Sequence, residues 1–125
     1  MASNAAYIYV IEVDSGEVKV GLSGTPYARM SKIKREYGPS RGFTRARLCA
    51  FVGSADAMLI EGLVHRALKD HASGGEWYRL APGRAIASVV GIGLSLNERL
   101  RLFLPNPDRP SQLNPYWCQR RKPAS

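Results

Sequence analysis

The stretch AYIYVIEV-DSGE-VKVG, residues 6–21, decides the fold class. Residues 6–13 are rich in aromatic and β-branched side chains with almost no polar interruption, the composition of a buried strand. DSGE (14–17) is turn chemistry, with Asp14 and Gly16 placed for a tight reversal. VKVG (18–21) then reads as the returning strand of a hairpin.

Outward from this hairpin the chain alternates helices and strands. Thr25-Pro26 is a helix start, Thr25 as N-cap and Pro26 in the first turn. Met30, Ile33 and Tyr37 recur on one face, and Gly38-Pro39 is expected to stop the helix. ARLCAFV (46–52) reads as a third strand. Ser54 can cap a second helix over roughly 55–71, with Leu59, Leu63, Val64, Ala67 and Leu68 as its core stripe. Gly74-Gly75 ends that region, and EWYRL (76–80) reads as a short last strand. After Pro82-Gly83 the spacing of residues 86–104 suits a C-terminal helix, interrupted in propensity by Gly91 and Gly93. Five prolines break the polar, basic stretch from Pro105 to Ser125, which reads as an extended tail. The expected architecture is a small α/β domain over 1–104, with helices flanking a mainly antiparallel sheet of three or four strands, and a tail over 105–125.

Composition narrows the function. A chain of 125 residues has room for one core, and 45 % hydrophobic with 22 % charged residues is ordinary globular composition. No apolar run approaches the ~20 residues of a membrane span. Glu12 and Asp14 stand where a signal peptide keeps an uncharged core, and Cys49 and Cys118 form no disulfide framework or paired zinc spacing. A cytoplasmic location is the simpler expectation. The formal charge is +8 and unevenly placed. Arg29, Lys32, Lys34, Arg35, Arg41, Arg45 and Arg47 stand against Glu36 alone within 29–47. Arg109, Arg120, Arg121 and Lys122 stand against Asp108 in the tail. Such a balance attracts polyanions, nucleic acid first, though a solvated face has the same composition. Lys32, Lys34, Arg35, Arg41, Arg45 and Arg47 are the expected nucleic-acid contacts. In the tail, Tyr116 and Trp117 among cations suit either stacking on exposed bases or docking on the domain.

Several residues carry potential chemistry. Strand alternation puts Tyr7 and Tyr9 on one face, and Gly21 permits a close approach at the end of the second strand. Glu61 and His65, four apart on the second helix, share a face, and Glu61 sits among apolar neighbours where a carboxylate needs a partner.

This ordered set resembles the GIY-YIG nuclease superfamily. The carriers are YIY (7–9), Gly21 twelve residues after Tyr9, Arg29 eight further on, LIEGLVHRAL (59–68) and GEWYRL (75–80). Lys19-Val20-Gly21 places a lysine where the second motif has tyrosine, similar to the phage-associated branch with its Glu-x-x-x-His helix. The asparagine many members carry after the metal glutamate is absent from HASGGEWY (71–78). The resemblance implies a divalent-metal-dependent endonuclease acting on DNA, with Glu61 holding Mg²⁺ or Mn²⁺. It implies catalytic roles for Tyr9 and Arg29, and Tyr7 and Gly21 as motif residues. Arg29 would offset charge on the phosphoryl oxygens, and Lys19 would grip phosphate or favour a Tyr9 phenolate. His65 would shuttle a proton or order the metal's water shell. The alternatives are a nucleic-acid-binding module on a degenerate nuclease fold, and a protein-interaction domain with an acidic partner. Strandedness of the DNA and dependence on a homodimer or protein partner stay open.

Overall fold

The protein is described here from a computed structural model covering residues 6–106 and 113–119. The opening hairpin forms as expected: β1 (Tyr7–Val13) and β2 (Val18–Ser23) pair antiparallel around a turn with Gly16 at φ 91. There follow α1 (Pro26–Arg41), β3 (Ala46–Gly53), α2 (Ala57–Ala67) and a single 3-10 turn at Lys69–His71. β4 (Ala72–Gly74) and β5 (Trp77–Tyr78) precede α3 (Pro82–Leu96), β6 (Arg99–Pro105) and β7 (Leu113–Gln119). All pairings are antiparallel, in the order β4-β5-β2-β1-β3-β6-β7.

The sheet separates two cores. On one face, α1 packs Ile33 against Tyr9, Ile11, Leu48, Phe51 and Trp77. On the other, α2 and α3 bury Ile60, Val64, Ala85 and Val89 against Ile8, Val10, Val18 and Val20. The alternation of β1 feeds both faces, so nearly every residue of that strand is buried.

The α/β class with flanking helices holds, while several boundaries differ from expectation. α1 runs through Pro39 to Arg41 rather than stopping at Gly38. Pro39 lies in the last turn, where its missing N–H leaves the Arg35 carbonyl without its helical donor just before the helix ends. The helix closes at Gly42, whose left-handed φ of 73 lets its N–H reach the Gly38 carbonyl. The core stripe of α2 is Ala57, Ile60 and Val64, continued by Leu68, while Leu59 is 55 % exposed. Residues 99–105 form a strand, not the end of a helix. Asn97 ends α3 by donating its side chain and N–H to the Gly93 carbonyl, and the alternating Arg-Leu-Arg-Leu that follows suits a half-buried strand. The tail is not wholly irregular either. Residues 113–119 pair along all of β6, and Pro115 is tolerated because β7 is an edge strand. With β4, β6 and β7 the sheet has, among the described residues, seven strands instead of three or four. Arg109, Arg120, Arg121 and Lys122 lie outside the described residues. Cys49 and Cys118 are both free. Among the described residues no helix is long and apolar enough to cross a membrane.

Candidate active site at the β5 side of the sheet

Lys19 links the elements of the site. Register places it opposite Ile11, and Gly21 opposite Tyr9, so Lys19 and Tyr9 leave the α1 face of the sheet. The Lys19 side chain is 5 % exposed, and its Nζ lies 2.7 Å from Glu76 Oε2. The same ammonium is 5.8 Å from the Tyr9 ring centre and 6.0 Å from that of Trp77. A buried ammonium needs such a partner.

Glu76, in the connection between β4 and β5, continues the chain of contacts toward α2. Its Oε1 lies 4.0 Å from His65 Nε2, and Glu61 Oε2 lies 3.7 Å from the same nitrogen. His65 Nδ1 is hydrogen-bonded to the Tyr78 hydroxyl, which fixes the ring. His65 Nε2 is buried with no hydrogen-bond partner. A nitrogen lone pair facing two carboxylates is unfavourable unless a proton or a metal cation sits on it. Burial pushes the Glu61 carboxyl above its ordinary range and the Glu76 charge adds to this, against the pull of His65 and Lys19. Burial likewise raises the Tyr78 phenol, and Glu76 and Glu61 push it further. Ligand atoms of Glu61, His65 and Glu76 all lie within 4.8 Å of one another, so the three fit a shared cation.

Arg29 approaches from α1. Its guanidinium lies beside the Tyr9 hydroxyl, a contact that raises its pKa further. Tyr9 is only 1 % exposed and lies across Gly21. Gly21 thus accommodates a neighbouring ring rather than an approaching backbone. Lys19, Arg29, Tyr37, Arg41, Glu76 and Trp77 line an open cleft of about 480 Å³. Arg29 and Lys19 share this cleft, Tyr9 lies against both, and Glu61 and His65 connect to it through Glu76.

Of the expected basic contacts, Arg41 reaches the cleft while the others lie elsewhere. Arg41 pairs with Glu17 at 2.8 Å and lies 4.6 Å over Trp77, a half-buried clamp at the cleft wall. Lys32 pairs weakly with Glu36 along the helix, and Arg35 is exposed on α1. Lys34, Arg45 and Arg47 border a different depression, shared with Glu12 and Asp14, and Arg47 pairs with Glu12 at 3.1 Å. Tyr7 packs edge-on against Phe51 and Phe103, at 5.2 and 5.9 Å. Glu76, expected only as part of the short last strand at 76–80, is a member of the site. Its position became visible only through the pairing of Lys19 with Trp77, distant in sequence.

The family model for the T5orf172 domain matches residues 6–92. That domain is phage-associated and related to nuclease-type folds, which points to a nuclease or DNA-binding role and to interaction with nucleic acid. No curated protein and no solved structure matches the chain. The matched span runs from β1 into α3 and includes Tyr9, Lys19, Arg29, Glu61, His65 and Glu76, and on that match the chain belongs to the T5orf172 domain family.

Proposed function

We propose that the chain is a GIY-YIG-type endonuclease that hydrolyses phosphodiester bonds in DNA with a divalent cation, Mg²⁺ or Mn²⁺. The observation that carries this reading is the orphaned His65 Nε2 between two carboxylates, next to a cleft lined by Lys19 and Arg29. Glu61, His65 and Glu76 would hold the cation. When bound, such an ion supplies positive charge beside the scissile phosphate and lowers the pKa of water.

The remaining roles fall to this chain's own side chains. Hydrolysis forms one P–O bond to water and breaks another; the water loses a proton and the leaving oxygen gains one. Arg29 offers a planar fork of donors to the phosphoryl oxygens as they gather charge. Lys19, held 2.7 Å from Glu76, brings a proton donor to the cleft wall within reach of a leaving oxygen, and the proton lost by the attacking water passes to solvent. Tyr9 was expected to act as a base, but 1 % exposure favours a different part for it. Buried beside the Arg29 guanidinium, it would orient that side chain as a positioning residue.

The same burial of Tyr9 favours the second reading, a nucleic-acid-binding module without turnover. Incubation of supercoiled plasmid with the purified chain separates the two. Nicking that requires Mn²⁺ or Mg²⁺ and disappears in Glu61→Ala is the expected result. Salt-sensitive DNA binding with no nicking under any divalent ion would leave the binding module.

A further inference from the structure

Past residue 92, where the family match ends, β6 and β7 extend the sheet on the side away from β5. Their register sets Arg101 opposite Trp117 and Arg99 opposite Gln119, so both arginines and the indole leave one face. The guanidiniums of Arg99 and Arg101 lie 4.4 and 5.2 Å from the Trp117 ring centre. Trp117 is nevertheless 53 % exposed. Among the described residues neither arginine has a carboxylate partner. A half-bare indole beside two uncompensated cations matches a ligand that is flat and anionic at once. An unpaired nucleotide has both properties.

We propose that Arg99, Arg101 and Trp117 form a stacking platform for single-stranded nucleic acid, the base on the indole and flanking phosphates on the guanidiniums. One row of the sheet runs Trp117, Arg101, Gly53, Tyr7, Ser23, and the next carries Phe103, Phe51, Tyr9 and Gly21. These rows lie on the face from which Lys19 projects, so platform and cleft share a face. At ~4.8 Å per strand, about 19 Å of sheet separates β7 from β2, with α1 packed over the strands between them. A duplex keeps its base faces stacked internally and can offer this surface only its phosphates.

The test is fluorescence anisotropy of the full chain with labelled oligothymidylate and with a duplex of equal length, in EDTA so that cleavage does not enter. Trp117→Ala should weaken single-strand binding about tenfold while changing duplex binding by less than about twofold. Trp117→Phe should retain most of the single-strand affinity. Arg99→Gln combined with Arg101→Gln should reduce the slope of log affinity against log salt by about 1.4. A Trp117→Ala chain that melts like the parent and binds the single strand unchanged overturns the proposal. Equal losses for single strand and duplex overturn it too, since charge alone would then be read. Should Trp117→Ala melt early, Trp117→Phe and the double arginine variant decide in the same assay. The proposal does not rest on hydrolysis: a chain that never cleaves DNA can pass this test, and an active nuclease can fail it.

Discussion

Tyr9 faces Gly21 across the first hairpin, and its phenol fills the space where a side chain would otherwise stand. A Cβ on Gly21 would lie 2.6 Å from the Tyr9 Cζ, so Gly21→Ala must displace the ring and with it the partner of Arg29. Overpacking of this kind should cost about 1–3 kcal/mol, measurable by urea unfolding, with a change in near-ultraviolet circular dichroism. Arg29 itself makes a different contribution. Arg29→Ala should reduce cleavage about 10²–10³-fold, because a donor aimed at transition-state charge is lost. Its unfolding midpoint should move little, since a single polar contact contributes about 1 kcal/mol. Arg29→Lys keeps the charge but not the fork and should recover binding more than rate. An unchanged cleavage rate in Arg29→Ala would remove this residue from the reaction.

The last turn of α1 is tied to the β5 side of the sheet by Arg41. Its guanidinium pairs with Glu17 just before β2, lies over the Trp77 ring in β5, and reaches the Ser73 carbonyl in β4. Ser73 also donates its hydroxyl to Glu17. Burial raises the Glu17 carboxyl, but hydrogen bonds from Ser73 and Arg41 and the Arg41 charge more than offset it, leaving the pKa below the ordinary 4.5. A depressed carboxylate contributes stability that is complete above its unfolded pKa and is lost as pH falls through the folded one. The melting temperature should therefore decline below about pH 4.5, and Glu17→Gln should flatten that decline. Arg41→Ala leaves a Glu17 carboxylate that is 11 % exposed without its cation, and should destabilise by about 1–3 kcal/mol. Any accompanying loss of nucleic-acid affinity must be read after correcting for the fraction unfolded.

At the scale of the molecule, metal binding and the far edge of the sheet are the quantities to measure. A cation held by Glu61, His65 and Glu76 would bind the folded chain alone. At a hundredfold excess over Kd it should stabilise by about 2.7 kcal/mol. Imidazole among the donors favours Mn²⁺ over Mg²⁺. Thermal melts should therefore rise more with Mn²⁺, return to baseline in EDTA, and lose the shift in Glu61→Ala and in His65→Ala. A full shift in His65→Ala would take His65 out of the donor set. Truncation after Leu104 removes β7 and exposes the unpaired backbone of β6. The truncated chain should melt several degrees lower and aggregate with concentration. Unchanged melting and solubility would mean that β7 contributes nothing to the sheet.

The division between local and distant interactions explains what could be read without coordinates. The hairpin at 6–21, the helix start at Thr25-Pro26 and the shared face of Glu61 and His65 depend on neighbours within a few residues, so composition and period revealed them. Tertiary pairing decided the rest. Residues 99–105 are strand because the distant β3 and the following β7 supply their ladder partners, and the pattern of residues 99–105 alone does not display them. Glu76 joins the site because Lys19 finds it across 57 positions of chain, and Arg41 leaves the basic face because Glu17 and Trp77 claim it. Sequence by itself determined which chemical groups are present and on which local face they lie. Only the tertiary structure decided which charges neutralise one another, because an ion pair needs a few ångströms of separation and the chain order does not encode that distance.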